Sequence, residues 1–209
     1  MADILLDQQG PPASPSAGQS VVYVDSYSFD LKTKDSLGFV RGFQSNFSLG
    51  AQSPAAATRT YLDGSAIEIP VSKLQIGTSF RWDFNITKTA AGIAASTFDV
   101  CVGVLGTTGD AARLSFTKPA GTAVVDQGTV SINVLCRGPI SATGVIVGQF
   151  TMVHNLAATG HAIIPCVCVN TVSAAFDLTV AQLIFGVCLT SGAADAITIQ
   201  QLQALAWNL

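Results

Sequence analysis

Residues 79–87 read Ser-Phe-Arg-Trp-Asp-Phe-Asn-Ile-Thr and alternate without a break. In an extended chain Phe80, Trp82, Phe84 and Ile86 share one face, and Arg81, Asp83, Asn85 and Thr87 share the other. A helix would scatter both sets around its circumference, so this stretch is a strand with one wet face. The same period recurs in TFDVCVGVL (97–105), which aligns Phe98, Val100, Val102 and Val104, and in TVSINVLC (129–136), which aligns Val130, Ile132 and Val134. From residue 66 onward about eight to ten such segments follow one another with turn signals between them. The fold class expected is all-β: an antiparallel β-sandwich, jelly-roll-like, over residues 66–209.

The later segments change character. In GVIVGQFTMVH (144–154), Val145, Val147 and Val153 lie on one face and Ile146, Phe150 and Met152 on the other. IIPCVCV (163–169) and LIFGVCL (183–189) are equally apolar on both faces. A strand wet on one side should alternate. Both faces are therefore expected to be covered, one by the sandwich core and one by a neighbouring subunit. Ile146, Phe150 and Met152 are assigned to that subunit interface. Charge supports the assignment: from Gly138 to Leu209 the only formally charged side chains are Asp177 and Asp195, and obligate interfaces are poor in charge. A surface of Thr, Ser, Asn and Gln is the alternative. The closing AITIQQLQALAWNL (196–209) reads as a strand with Ile197, Ile199 and Trp207 on one parity, although a helix at QQLQALA is also open.

The N-terminal third is different. Pro11, Pro12 and Pro15 make residues 1–20 an extended arm. SVVYV (20–24) and FDLKT (29–33) then form a small hairpin whose apolar face carries Val22, Val24, Phe29 and Leu31. Two strands with one apolar face are marginal alone in water. Residues 36–65, rich in Ser, Gly, Ala and Gln, read as a linker. Phe39, Phe43 and Phe47 within it fit either one face of a short helix or an irregular loop with aromatic anchors.

Several function classes find no support. Net charge is −3, and ten Lys and Arg are scattered, so no nucleic-acid partner is expected. Mean hydropathy is +0.47, yet no apolar run approaches the roughly 18 residues of a spanning helix, and no membrane partner is expected. The opening MADILLDQQGPP lacks a basic n-region, which suggests synthesis and assembly in a cytoplasm. Cys101, Cys136, Cys166, Cys168 and Cys188 all sit in apolar runs, as buried thiols in a reducing compartment would.

Nor does chemistry announce itself. His154, His161, Cys166 and Cys168 give H-x6-H-x4-C-x-C, a spacing unlike a zinc knuckle. GVLGTTGDAAR (103–113) lacks the lysine of a phosphate-binding loop and reads as a hairpin turn in which Gly106 and Gly109 supply unusual backbone angles. Asp63, Glu68, Asp83, Asp99, Asp110 and Asp126 are spread singly. No catalytic residue, metal ligand or cofactor site is expected.

The opening DILLDQQGPPASPSAGQSVVYVDSYSFDLKTKDSLG resembles the N-terminal module of structural proteins of tailed bacteriophages. SFRWDFNITKTAAG, TFDVCVGVLGTTGDAARLSFTKPAGTAVVDQGT and VHNLAATGHA resemble the domains appended to it. The resemblance implies a homotrimeric virion accessory protein without enzymatic activity, of the capsid decoration, cement or head-fibre type. Residues 1–35 would be the virion anchor, seated on the major capsid protein or another virion protein. Val22, Val24, Phe29 and Leu31 would face the trimer axis or a neighbour, and Lys32, Lys34 and Asp35 would face solvent or the shell. The alternative it implies is a short tail fibre whose jelly roll recognises a host surface glycan.

Overall fold

The structure, a computed structural model, describes residues 8–10, 12–25, 31–35, 40–41, 43–70, 73–192 and 196–209. In chain order the strands are β1 (Gln8–Gln9), β2 (Ser20–Asp25), β3 (Leu31–Asp35), β4 (Val40–Arg41), β5 (Phe43–Phe47), β6 (Arg59–Tyr61), β7 (Ile67–Pro70), β8 (Ser79–Lys88), β9 (Ser96–Gly103), β10 (Ala111–Lys118), β11 (Asp126–Cys136), β12 (Ile146–His154), β13 (Cys166–Val172), β14 (Gln182–Thr190) and β15 (Ile197–Trp207). Among the described residues there is no helix.

Two antiparallel sheets form a β-sandwich. The six-stranded sheet runs β13-β12-β11-β8-β15-β5, and the five-stranded sheet runs β10-β9-β14-β6 with β7 also paired to β14. Alternation decides what lies between them. Phe80, Trp82, Phe84 and Ile86 point inward from β8 and are all buried. Val130, Ile132 and Val134 do the same from β11, and Phe98, Val100 and Val102 from β9. The rings interlock across the gap: Phe80 stacks on Phe185 at 4.1 Å between centroids, and Phe98 meets both Phe84 and Phe150. Such aromatic pairs add about 0.5–1.5 kcal/mol each beyond area burial.

Three expectations need correction. Ile146, Phe150 and Met152 belong to this core, each fully buried within the monomer, so they cannot meet a neighbouring subunit. Their strand alternates after all. Val147, Gln149, Thr151 and Val153 take the outer face, and the apolar sequence concealed that face because valine stands in it. The segment 43–65 is no linker, because β5 pairs with β15 and β6 with β14. Phe43 and Phe47 therefore lie on a strand and not a helix, while Phe39 lies outside the described residues. In β15 the register shifts between Ile199 and Gln201. This bulge turns Leu202, Ala204 and Ala206 inward and leaves Trp207 37% exposed on the outer face, so the single parity expected for Ile197, Ile199 and Trp207 fails.

At the N-terminus, β1 to β4 form a separate four-stranded sheet in that order. Its β1–β2 pair is parallel and its β2–β3 pair antiparallel. Lys34 Nζ donates to the Pro12 carbonyl at 2.7 Å, tying the arm to β3. Here the expected faces are exchanged: Tyr23 and its cross-strand partner Lys32 are buried, whereas Val22 is largely exposed and Val24 half-buried. Lys32 is thus not a solvated residue. Leu31 pairs with Val24 in the ladder, and Phe29 lies outside the described residues.

Candidate functional site

The outer face of the six-stranded sheet carries many polar side chains. Register lines them up in rows. Asn170, Gln149, Asn133, Arg81 and Leu205 form one row, and Cys168, Thr151, Ser131, Asp83 and Gln203 form the next. Two depressions follow these rows. One of about 400 Å³ is lined by Arg81, Asp83, Asn85, Ser131, Gln201 and Gln203, among others. The second, of about 700 Å³, is lined by Arg81, Asn133, Arg137, Gln149, Asn170 and Trp207, among others. Arg81 borders both, so the two join into a groove along β8. That strand has 10 residues and spans about 30 Å at the usual rise.

The groove is nearly neutral. Arg81 Nε donates to Asp83 Oδ2 at 2.6 Å, and both side chains remain open to solvent. Arg137 is the other charged group lining it. Amides and hydroxyls supply the rest, and each amide offers both a donor and an acceptor. Trp207 closes one end with an accessible ring, and Phe47 stands exposed beside Gln203. Such a surface suits a ligand with paired hydroxyls and apolar ring faces. The alternating strands made the face legible in the sequence, but the meeting of Gln201 and Gln203 with Asp83 depends on the β15 bulge.

A second polar group lies on the outer face of the five-stranded sheet. Arg59, on β6, reaches Asp99 Oδ2 with Nε at 3.2 Å, Cys101 Sγ with Nη2 at 3.0 Å and the Thr108 carbonyl with Nη1 at 2.8 Å. Ser115 donates to the other oxygen of Asp99 at 2.6 Å. Tyr61 lies over Gly186, where any side chain would strike its hydroxyl. This is why LIFGVCL is apolar on both sides: its outer face is covered by β6 and the 104–110 loop of the same chain. Burial pushes the Tyr61 hydroxyl far above its ordinary value. The GTTGD stretch is the expected hairpin loop, closed by Asp110, whose carboxylate accepts from Leu105 N and Gly106 N. Only Gly106 of the two named glycines has positive φ, at 63°.

A third group is buried where the loops 89–95, 119–125 and 155–165 meet. Asp126 Oδ2 accepts from His161 N at 2.8 Å, and His154 Nδ1 makes an ion-pair contact with the same oxygen at 2.7 Å. That contact lies off the line of an aligned hydrogen bond, while His154 Nε2 faces the Ile164 carbonyl at 2.7 Å. Lys88 Nζ donates to the carbonyls of Thr89, Thr122 and Val124, and Lys118 Nζ to those of Pro119 and His161. The bonds of Lys88 to Thr122 and Val124, of Lys118 to His161 O and of Asp126 to His161 N tie strand ends to loops distant in sequence, so the group works as a clasp. Burial, then the charge of Lys118, lowers the His161 pKa to about 4.

The structure separates the H-x6-H-x4-C-x-C residues. His154 and His161 are buried in the clasp, whereas Cys166 and Cys168 are exposed on the opposite side of β13. The expectation of five buried thiols is corrected to three: Cys101, Cys136 and Cys188. Among the described residues no three His, Cys, Asp or Glu side chains gather as metal ligands would. The carboxylates Asp83, Asp99 and Asp126 each have a basic partner.

No protein-family profile and no curated protein matches the chain. Among solved structures the chain is similar to an alginate lyase determined with an alginate trisaccharide, at 11% identity and a TM-score of 0.33, over 91% of this chain and 88% of that one. A likeness this distant says nothing of what this chain binds or catalyses.

Proposed function

We propose that this chain is a structural, non-enzymatic component of a bacteriophage virion. It would be a homotrimeric capsid decoration, cement or head-fibre protein with a jelly-roll-like head, attached to the major capsid protein or another virion protein through its N-terminal region. The observation that carries the reading is the division of the molecule. The N-terminal sheet and proline arm pair only among themselves in the described ladders, while the sandwich closes its own core. The arm is too polar to order alone, and fixing roughly 20 residues costs on the order of 20–40 kcal/mol of backbone entropy, which a long contact with a shell or neighbour offsets. An apolar end patch suits subunit contact: Val124, Val125, Ile163 and Ile164 are all exposed large hydrophobics on the loops around the clasp.

Light scattering at low micromolar concentration is expected to give the mass of a trimer, and Ile163→Glu with Ile164→Glu to shift it toward monomer. A monodisperse wild-type monomer would overturn the assembly. Removing residues 2–42 is expected to leave a folded sandwich that no longer binds particles lacking the protein. Equal decoration by the shortened chain would refute the anchor.

The groove favours a second reading, a receptor-binding head that takes a neutral host-surface glycan. Amides and hydroxyls match sugar hydroxyls, Trp207 matches a pyranose face, and the Arg81–Asp83 pair cancels, leaving Arg137 as a single positive charge at one end. Titration with neutral hexasaccharides, with uronate hexasaccharides for contrast, is expected to show saturable binding to the neutral set. Trp207→Ala should weaken it about tenfold, or ~1.4 kcal/mol. Binding unaffected by that change, or confined to the acidic set, counts against the groove.

A further inference from the structure

We propose that Cys101 and Cys188 are an oxidative modification site, a thiol pair that closes to an intramolecular disulfide with a low-molecular-weight disulfide as the oxidant. The pairing follows from register. On adjacent strands β9 and β14, Cys101 stands opposite Gly186 and Cys188 opposite Asp99. The two cysteines are therefore diagonal neighbours on the outer face. The sulfurs lean toward one another and lie 2.6 Å apart, beside the Tyr61 ring that fills the space over Gly186. Both residues are fully buried, under Arg59, Tyr61 and the 104–110 loop.

The surroundings favour reaction. Arg59 Nη2 sits 3.0 Å from Cys101 Sγ, and a guanidinium beside a thiol stabilises the thiolate. The Cys101 hydrogen bond holds the Cys188 thiol below its ordinary pKa, while the same contact, with burial, raises Cys101. The two sulfurs thus sit in contact beside one guanidinium, and Cys188 is the one we assign to attack first. Neither Cys136 nor the exposed pair has this arrangement. Cys136 is buried alone, and burial pushes it up to about 12. Cys166 and Cys168 lie in the open on β13.

The step balances through a mixed disulfide. The Cys188 thiolate attacks one sulfur of the small disulfide, forming one S–S bond and expelling a small thiolate. Cys101 gives its proton to that thiolate and attacks the Cys188 sulfur. The second small thiolate leaves and takes a proton from solvent. Two protein thiols are oxidised, and one small disulfide is reduced to two thiols. Because both sulfurs are covered, the small disulfide reaches them on local opening of that cover, of which the Arg59 side chain is 29% exposed.

The test uses the full chain and oxidised glutathione. After incubation at pH 8, thiols are alkylated in denaturant and peptides are mapped without reduction. The expected result is a linked Cys101–Cys188 peptide pair, with Cys136 still alkylated. A protein carrying Cys166→Ser and Cys168→Ser, which removes the exposed thiols, should lose two of its three alkylatable cysteines. Arg59→Gln should slow closure roughly tenfold, as a shift of about one pKa unit in the attacking thiol would. Two results overturn the proposal: Cys101 and Cys188 both alkylating after oxidation of the wild type, or Cys188 keeping a glutathione adduct that Cys101 never resolves.

Discussion

Exchanging Asp126 for asparagine is expected to cost about 1–3 kcal/mol of folding stability, the range for spoiling hydrogen bonds to a buried group. The substitution keeps the size of the side chain and removes only the charge. His154 then loses the carboxylate that lies 2.7 Å from its Nδ1. The amide also sets two N–H groups among donors already facing that position, from His161 N and Gln127 N. Urea unfolding of the two proteins at pH 7 measures the difference, and a loss below 1 kcal/mol would show that the clasp carries little of the stability.

Acid should dissolve the same clasp in two steps. The His161 pKa is lowered from 6.5 to about 4, first by burial and then by Lys118. The unfolded chain takes up a proton near 6.5 and the folded one only near 4, so stability is lost as pH falls between those values, by about 3 kcal/mol. Asp126 adds a lower window. Burial alone would raise its pKa, but the N–H groups of His161 and Gln127, with His154 beside it, outweigh that and hold it below its ordinary 3.8. Its contribution is present above the ordinary carboxylate range and disappears as pH falls through the depressed value. His161→Gln should flatten the first window and leave the second. Identical pH profiles for the two proteins would remove His161 from the account.

A chain beginning at residue 66 is expected not to fold, whereas one beginning at residue 43 folds. The shorter chain lacks β5, and with it five rungs of pairing to β15. It also lacks β6, Leu62 and Ser65. Leu62 is fully buried and donates its backbone N–H to Val187 O at 2.9 Å. Removing such a side chain costs about 2–5 kcal/mol. The Ser65 carbonyl accepts from Trp82 Nε1 at 2.7 Å, and stranding that buried N–H costs about 1–3 kcal/mol more. Without Arg59 and Tyr61, Asp99, Cys101 and Gly186 lose their cover. These losses together match the whole margin of a typical domain, about 5–15 kcal/mol. Near-ultraviolet circular dichroism and a cooperative melt distinguish the outcomes, and a cooperative melt from the chain starting at residue 66 would return the segment 43–65 to the status of a linker.

The sequence by itself determined the sandwich. In β8, β9 and β11 the period of two is carried by large side chains, and a slip of one residue would turn Trp82 or Ile132 into water. It also made the hairpin loop at GTTGD legible, because Asp and Gly specify that turn locally. Only the tertiary structure decided which faces are covered and by what. Ile146, Phe150 and Met152 go to the monomer's own core because valine, counted as apolar, tolerates the outer face of β12. LIFGVCL is covered on its outer side by Arg59, Tyr61 and the 104–110 loop, residues whose own sequence shows no periodicity. A strand of three residues such as β6 has too few positions to display one. The clasp and the Cys101–Cys188 pair depend on residues 35 and 87 apart, and no local pattern encodes contacts at that separation. The parity of Trp207 hung on a single bulge in β15, which a sequence of two-residue periods does not show.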